Sequence, residues 1–504
     1  MPKEDLTPSH VSAVDADLNK DVADYTNGEH VIPKPESFRD MSPEELQKLE
    51  KKMVRKMDAV ILPIMGVLYI LNYVDRNALA ATKVYGIMDD LNMNTQQFAT
   101  VIAILFVGYI PFQIPSNMLM TKVTRPGLYL CLAATVWGAI STCTAAVNTY
   151  EAMLGVRILL GITEAAFFPG ILYYLSAWYT KKEIGKRYAA LFMFQMVGSA
   201  FGGFIAAACL TLEGAHGIRG WRWLFIVEGA ATVGCGLIFA CIMPEFPHKA
   251  RLLKPVERDY AVWRLEVEAG VGEAHEDVST RKGFALAFKD GKIWALVAAN
   301  FATQSVGSTN NLFPSIVSTL GYNSTNTLLL TAPPFVLAAI IFWFTMAYSD
   351  KANVIYPILM ANCGWGLLVY IVAAATTNTG ARYFTMMFMP TVCTIPQIMY
   401  YKTVNLHMAR PFPKRAAGVA MINAIGGLAN LYSSYLWYSA PHFYVAFGVL
   451  LGMMCAIIVI MTAYRFHVLK LNKLLDGTHE QQQMTKKAGV TQQQIDLGWR
   501  FIGY

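Results

Sequence analysis

The stretch VRILLGITEAAFFPGILYYLSAWY, residues 156–179, is apolar enough to cross a bilayer, yet it holds one arginine, Arg157, and one glutamate, Glu164. A helix facing only lipid would carry neither, because a charge at the bilayer centre costs about 2.5–3.5 kcal/mol even on lenient scales. Their seven-residue spacing is close to two helical turns, so both project from one face. Along the axis they stand about 10 Å apart, too far to pair directly. Each needs a partner from another segment.

The rest of the chain has the same character. It has 504 residues, of which 55% are hydrophobic and only 15% charged, where a soluble chain carries roughly 25% charge. The apolar residues come in blocks of about 20, the length that spans a bilayer as a helix. Twelve blocks can be drawn: 58–80, 97–120, 126–147, 150–178, 188–210, 222–243, 290–317, 327–348, 355–375, 382–404, 415–437 and 440–464. None shows the period-two alternation of a membrane β-barrel. The expected fold class is an all-α membrane protein of twelve transmembrane helices in two six-helix bundles.

Lysine and arginine set the expected orientation. Lys51, Lys52, Arg55 and Lys56 precede span 1; Lys122 and Arg125 follow span 2; Lys181, Lys182, Lys186 and Arg187 follow span 4. Lys249, Arg251 and Lys254 follow span 6; Arg410, Lys414 and Arg415 follow span 10; Arg465, Lys470 and Lys473 follow span 12. The alternate loops hold little besides Lys83, Arg219 and Arg382. Basic loops stay in the cytosol, so both termini are expected there, with the plasma membrane as the default location. The net charge of +7 is mostly this bias and implies no nucleic acid.

No cleavable signal peptide is visible, so span 1 serves as the insertion signal. Residues 1–40 read as disordered. Residues 42–58 read as a short helix on the inner membrane surface, with Ser42 and Glu45 as a capping box. The domains expected are a 1–56 tail, a 57–243 bundle, a 244–289 loop, a 290–464 bundle and a 465–504 tail. Within the loop, PVERDYAVWRLEVEAG reads as a surface helix ending at Gly270. The eight cysteines form no C-x-x-C pair and lie at no metal-ligand spacing, so they read as small apolar filler, with no metal and no cofactor. The sequon at Asn323 lies too close to the bilayer to be used. H-E-x-x-H, G-x-S-x-G and P-loop motifs are absent, so the chain reads as no enzyme.

Two six-span halves joined by a polar loop is the layout of major facilitator transporters. NYVDRNALA (72–80), FVGYIPFQIPSNMLMTK (106–122), RILLGITEAAFFPGILYYLSAWYTKKE (157–183) and GWRWLFIVEGAATV (220–233) resemble landmarks of the anion:cation symporter family of that superfamily. The branch containing fungal allantoate and nicotinate permeases is the one most resembled. PEFPHKARLL after span 6, LGY at 320–322 and the C-terminal RFIGY fit the same pattern. One departure is Gln113, where many relatives carry Glu, so no proton-carrying role is expected there.

On span 1, Tyr69, Tyr73 and Arg76 share a face. Counting residues inward places Asp75, Arg76 and Arg157 in the outer half and Glu164 near the midplane. Arg157 is therefore expected to tether Asp75, leaving Arg76 and Glu164 without charged partners. An unpaired arginine facing a cavity suits an anion; an isolated buried carboxylate titrates near neutrality and suits a proton. Arg222 and Glu228 in span 6 read as architectural, and Asp75 with Arg157 has an architectural alternative. The resemblance implies that Arg76 contacts the acidic group of the substrate and that Asp75 and Glu164 take protons. It also suggests Tyr73, Tyr109 and Gln195 as cavity-lining contacts. The second half offers neutral amides: Asn300, Gln304, Asn310, Asn311, Gln397, Asn423 and Asn430. Of these, Asn423, just before Gly426-Gly427, is the strongest candidate. For each amide an interhelical hydrogen bond is the plain alternative.

The function expected is proton-coupled symport of a small organic anion by alternating access, in a monomer whose partners are that anion, protons and the lipid bilayer. A proton-driven exporter or anion exchanger on the same scaffold, or a membrane nutrient sensor that does not translocate its ligand, are the alternatives.

Overall fold

The computed structural model describes residues 34–273, 280–407, 412–438 and 442–485, together with residues 440, 490, 495, 500 and 501. The disorder expected for residues 1–33 lies outside them. In the first half the long helices are α1 (Pro43–Thr82), α2 (Thr95–Lys122), α3 (Pro126–Thr144), α4 (Tyr150–Glu164), α5 (Phe167–Ser176), α6 (Lys181–Leu210) and α7 (Gly220–Ile242). The connecting segment forms α8 (Pro255–Glu273) and α9 (Thr280–Lys289). The second half contains α10 (Gly291–Asn311), α11 (Ala332–Ala352), α12 (Tyr356–Ala375), α13 (Thr379–His407), α14 (Phe412–Gly427) and α15 (Tyr444–Leu475). No strand occurs among the described residues. Span 4 is the α4–α5 pair, broken directly after Glu164. Pro169 lacks the amide that would bond the carbonyl of Ala165, and the chain turns loose at Ala165–Ala166.

Among the described residues, nine helices are long and apolar enough to cross a membrane by length and composition. The three remaining spans, α10, α13 and α14, carry the amides Asn300, Gln304, Asn310, Asn311, Gln397 and Asn423, and α14 stops after 16 residues. Polar residues lower their hydropathy because these helices are lined by other helices rather than by lipid. The outward faces are apolar instead: Phe344 is 68% exposed, Val459 66% and Trp343 62%. In water such surface would be an aggregation liability; as a lipid-facing belt it is expected.

The N-terminal segment corrects two expectations. Ser42 does cap its helix, with its hydroxyl accepting from the Glu45 amide at 3.3 Å and the Glu45 carboxylate accepting from the Ser42 amide at 2.9 Å. The helix is no separate surface element, however. It continues unbroken into span 1 as a 40-residue rod, about 60 Å long and twice the hydrocarbon thickness. No breaker separates the amphipathic start from the apolar run, and Pro63 leaves the helix continuous. Residues 34–40 also carry structure: Phe38 is buried edge-on against Tyr260 and Trp263 of α8, 5.4 Å from each.

Helix α8 is pinned to this end of the first half. Arg264 donates to the Trp178 carbonyl at 2.9 Å and to Glu183 at 3.0 Å, and Lys56 grips Glu257 at 2.6 Å. Burial alone would raise the Glu257 carboxyl, but hydrogen bonds from the Lys56 ammonium and the Lys254 amide hold it below the usual carboxylate range. A carboxylate with a depressed folded pKa stabilises docking at neutral pH and loses that contribution as pH falls through the folded value. The last helix also runs further than its apolar block, to Leu475 rather than 464.

Small residues let the helices approach. In α4, a Cβ on Gly161 would lie 2.1 Å from the Leu105 carbonyl of α2. Gly161→Ala is therefore expected to force α2 and α4 apart and to destabilise by roughly 1–3 kcal/mol; an unchanged melting temperature in detergent would contradict this. Gly203 performs the same service between halves, where α6 packs on α11 and a Cβ would meet Thr331 Oγ1 at 2.2 Å. The halves also meet where Tyr435 donates to Thr100 at 3.0 Å and where Gly427 abuts Ile110. These contacts lie toward the end opposite the basic loops. Toward the basic end one face of α2 is exposed, with Ile114 57% exposed.

Candidate functional site

The site is built on α1, α2, α4 and α6 of the first half. Arg76 of α1 donates from Nε to Glu164 Oε2 at 2.6 Å. The Glu164 side chain is fully buried, while that of Arg76 keeps 19% exposure. The expectation that both stand unpaired is thus overturned. Counting residues located the Cα atoms but ignored side-chain direction. Every Cα–Cβ bond tilts toward its own helix N-terminus, and α1 and α4 run in opposite directions. Arg76 therefore leans toward the midplane and Glu164 leans up to meet it.

The same tilt undoes the expected Arg157–Asp75 tether. Those two side chains lean apart, and no ion pair within 4 Å forms between them among the described residues. Asp75 instead accepts from the Ser141 hydroxyl of α3 through Oδ1, while Oδ2 is buried without a partner. Arg157 is 2% exposed, and its Nε and one terminal nitrogen have no acceptor. Its guanidinium carbon lies 5.5 Å from the centre of the Phe225 ring. Glu228 of α7, one turn beyond Phe225, is 3% exposed with both oxygens unpartnered. Asp75, Arg157 and Glu228 are thus three buried ionisable side chains near the Arg76–Glu164 pair, with no ion pair within 4 Å among them in the described residues.

Aromatic rings enclose the pair. The Arg76 guanidinium carbon lies 4.6 Å from the centre of the Tyr109 ring and 5.8 Å from that of Tyr73, a cation–π arrangement that orients a guanidinium while leaving it charged. Tyr73 in turn meets Tyr69 edge-on at 5.1 Å. Gln195 of α6 is 7% exposed with an unpartnered amide oxygen. It lies one turn before Gly198, which packs on Ile70 and Tyr73, so it shares the face toward α1. From the second half, Tyr401 donates to Asn423 at 3.0 Å and its ring lies 6.2 Å from that of Phe192.

The structure therefore brings Arg76, Glu164, Tyr73 and Tyr109 into one cluster, with Gln195 on the adjoining face. It sets Asp75 and Arg157 behind them and leaves Asn423 on the opposing half, bonded to a tyrosine. The other amides divide. Asn300 donates to the Ile422 carbonyl at 2.9 Å, and Gln397 to Gln304 at 3.4 Å, the interhelical bonds of the plain alternative. Sequence reasoning missed Ser141 and Tyr401, whose only signal was a hydroxyl in an apolar block. Glu228, read as architectural, is buried with both oxygens unpartnered. A partly exposed guanidinium paired with a buried carboxylate within the spans and flanked by tyrosines is the kind of centre expected of a secondary transporter.

The comparisons agree. Residues 65–434 match the family model described as the Major Facilitator Superfamily. The chain belongs to that superfamily, and it is a multi-pass membrane transporter rather than an enzyme. An uncharacterized transporter of Schizosaccharomyces pombe is 30% identical over 443 residues, covering 87% of this chain and 90% of its own length. The high-affinity nicotinic acid transporter of Saccharomyces cerevisiae is 28% identical over 343 residues, covering 68% of this chain and 63% of its own. Among solved structures, the xylose transporter XylE from E. coli in a partially occluded inward-open conformation has a TM-score of 0.64 at 15% identity. It covers 80% of this chain and 97% of its own. At that identity the likeness establishes the fold alone.

Proposed function

We propose that this transporter carries a small organic anion, a carboxylate such as nicotinate or allantoate, together with protons, in the manner of the anion:cation symporter branch. The observation that carries this reading is the Arg76–Glu164 ion pair: one guanidinium, partly open, whose counter-ion is a fully buried acid. A cargo carboxylate and Glu164 compete for the same positive charge. Protonating Glu164 weakens the pair and frees Arg76 for the cargo; releasing the proton restores the pair and expels the cargo. Binding of anion and proton is thereby coupled at one residue pair.

The remaining residues take supporting roles. Tyr73 and Tyr109 position the guanidinium and stack on a flat cargo. Gln195 and Asn423 supply neutral hydrogen bonds from the two halves. Asp75, tethered by Ser141 and influenced by Arg157, is a second proton site. The energetics favour the coupling. An interior-negative potential opposes anion entry by about 2.3 kcal/mol per charge per 100 mV. One proton cancels that charge, and a second lets the potential drive uptake. The basic loops and both termini are assigned to the cytosol, with the plasma membrane as the default setting. The nicotinic acid transporter among the relatives supports the cargo class.

The test is uptake of labelled nicotinate and allantoate into proteoliposomes under an imposed pH gradient. Accumulation against the anion gradient with an acidic exterior, abolished by a protonophore, is the expected result. Loss of cargo driven by the same gradient would favour a proton-driven exporter.

A further inference from the structure

The RFIGY segment has no part in the central site, yet the second half holds a socket for its first two residues. Phe501 is 5% exposed. Its ring meets that of His407 edge-on with centroids 5.2 Å apart, and the Lys292 ammonium lies 5.1 Å from its centre. The His407 ring is stacked in turn on Tyr464, with His407 Nδ1 3.1 Å from the Tyr464 hydroxyl. One side chain, Asn472, holds the backbone of Phe501. Its Nδ2 donates to the Phe501 carbonyl at 2.9 Å, and its Oδ1 accepts from the Phe501 amide at 3.0 Å. An amide side chain can donate and accept side by side, so the clamp reads backbone while the slot selects the ring. A cation beside an aromatic face adds attraction. Arg500 pairs with Asp476 at 2.7 Å and donates to the Leu475 carbonyl at 3.3 Å. That pair is open to solvent and gives direction more than affinity. A backbone clamp, an aromatic slot and a neighbouring acid together specify the dipeptide Arg-Phe.

We propose that this socket is a peptide-recognition site for an Arg-Phe segment, filled in cis by Arg500 and Phe501, and that the docked segment is a strap holding the end of α13 against α10 and α15. The second statement follows from which helices build the socket. Lys292 lies in the first turn of α10, His407 is the last residue of α13, and Tyr464 and Asn472 belong to α15. Helix α13 carries Pro390 and Pro396 in its interior, and each removes one backbone hydrogen bond. The part beyond Pro396, residues 397–407, is therefore the part that can bend away from the rest. Phe501 ties the last residue of that part to the other two helices. Lys292 also lies 3.9 Å from Asp290, which Lys414 of α14 grips at 2.5 Å, so the wall of the slot is itself tied to a fourth helix. A segment that docks only when these ends are together favours that arrangement over one in which α13 has bent away. The socket lies outside the central cluster and does not rest on the anion–proton reading.

The test compares the purified full-length protein with Phe501→Ala and Asn472→Ala. Lys292 is 9% exposed in the docked state, so its acetylation by a water-soluble succinimidyl ester, read by mass spectrometry, reports whether the socket is filled. Both variants are expected to label Lys292 at least tenfold faster than the parent, with exposed Lys470 as the unchanged reference. The synthetic peptide DLGWRFIGY, residues 496–504, is expected to restore protection to Phe501→Ala but not to Asn472→Ala. The same peptide with alanine in place of its phenylalanine is expected to restore neither. Hydrogen exchange over residues 397–407 is expected to quicken at least tenfold in Phe501→Ala and to slow again with the peptide. Recovery on adding the peptide, with exchange over α2 unchanged, separates loss of the strap from general unfolding. Lys292 labelling equal in the parent and both variants would overturn the socket, and full protection by the alanine peptide would overturn its choice of phenylalanine. Faster labelling with unchanged exchange over 397–407 would overturn the strap.

Discussion

Arg76→Ala is expected to abolish anion-dependent thermal stabilisation and to lower anion affinity roughly 30-fold or more. That is the lower end of the 2–5 kcal/mol lost when one member of a buried charged pair is truncated. The effect has two sources. The cargo loses its cation, and Glu164, with a fully buried side chain, loses the only ion pair it makes among the described residues. A buried carboxylate without a counter-ion is strongly disfavoured, so Glu164 in this variant takes up a proton and holds it. The protein is expected to fold, to bind anion at the central site only with this weakened affinity and to show no pH-driven uptake. Arg76→Lys keeps a charge but loses the planar fork and the stacking on Tyr109, and is expected to retain weak binding. Anion stabilisation of Arg76→Ala equal to that of the parent would remove Arg76 from the site.

Glu164→Gln separates cargo from proton. The amide matches the carboxylate in shape, carries no charge and cannot titrate. Arg76 is then permanently released, as if Glu164 were always protonated. Anion binding is expected to persist, and the pH dependence due to Glu164 to disappear. In the parent the sign is fixed by the competition: affinity rises as pH falls, because protonation of Glu164 frees the guanidinium. In the variant the part of this dependence carried by Glu164 is gone and only that of Asp75 is left, exchange of internal for external anion continues, and accumulation under a pH gradient falls sharply. Gradient-driven uptake by Glu164→Gln at the parent's level would remove Glu164 from proton coupling.

Much of this was legible in the sequence, and the losses have identifiable physical causes. The apolar blocks specified helices because lipid leaves the backbone no other partner than itself. Arg76, Asp75, Arg157 and Glu164 stood out because each violates that apolar rule. Pairing was not legible from residue counts, which give height along an axis but neither side-chain tilt nor reach; a lean of each Cβ toward its own N-terminus exchanged one expected pair for another. The 40-residue first helix was hidden because the sequence changes from amphipathic to apolar without a change in backbone. Glu228 looked architectural because burial and partnership are tertiary facts, and only the folded chain leaves both of its oxygens bare.

The central claim is that cargo and Glu164 contend for one guanidinium, and proton counting tests it most directly. Nicotinate, or whichever anion the uptake assays select, is titrated into purified protein by calorimetry in buffers of different ionisation enthalpy. The dependence of the observed heat on buffer gives the protons taken up per anion bound. The account predicts net proton uptake accompanying binding at neutral pH, with the uptake assigned to Glu164 disappearing in Glu164→Gln. Binding that takes up no proton in the parent, with affinity unchanged from acidic to alkaline pH, would contradict it.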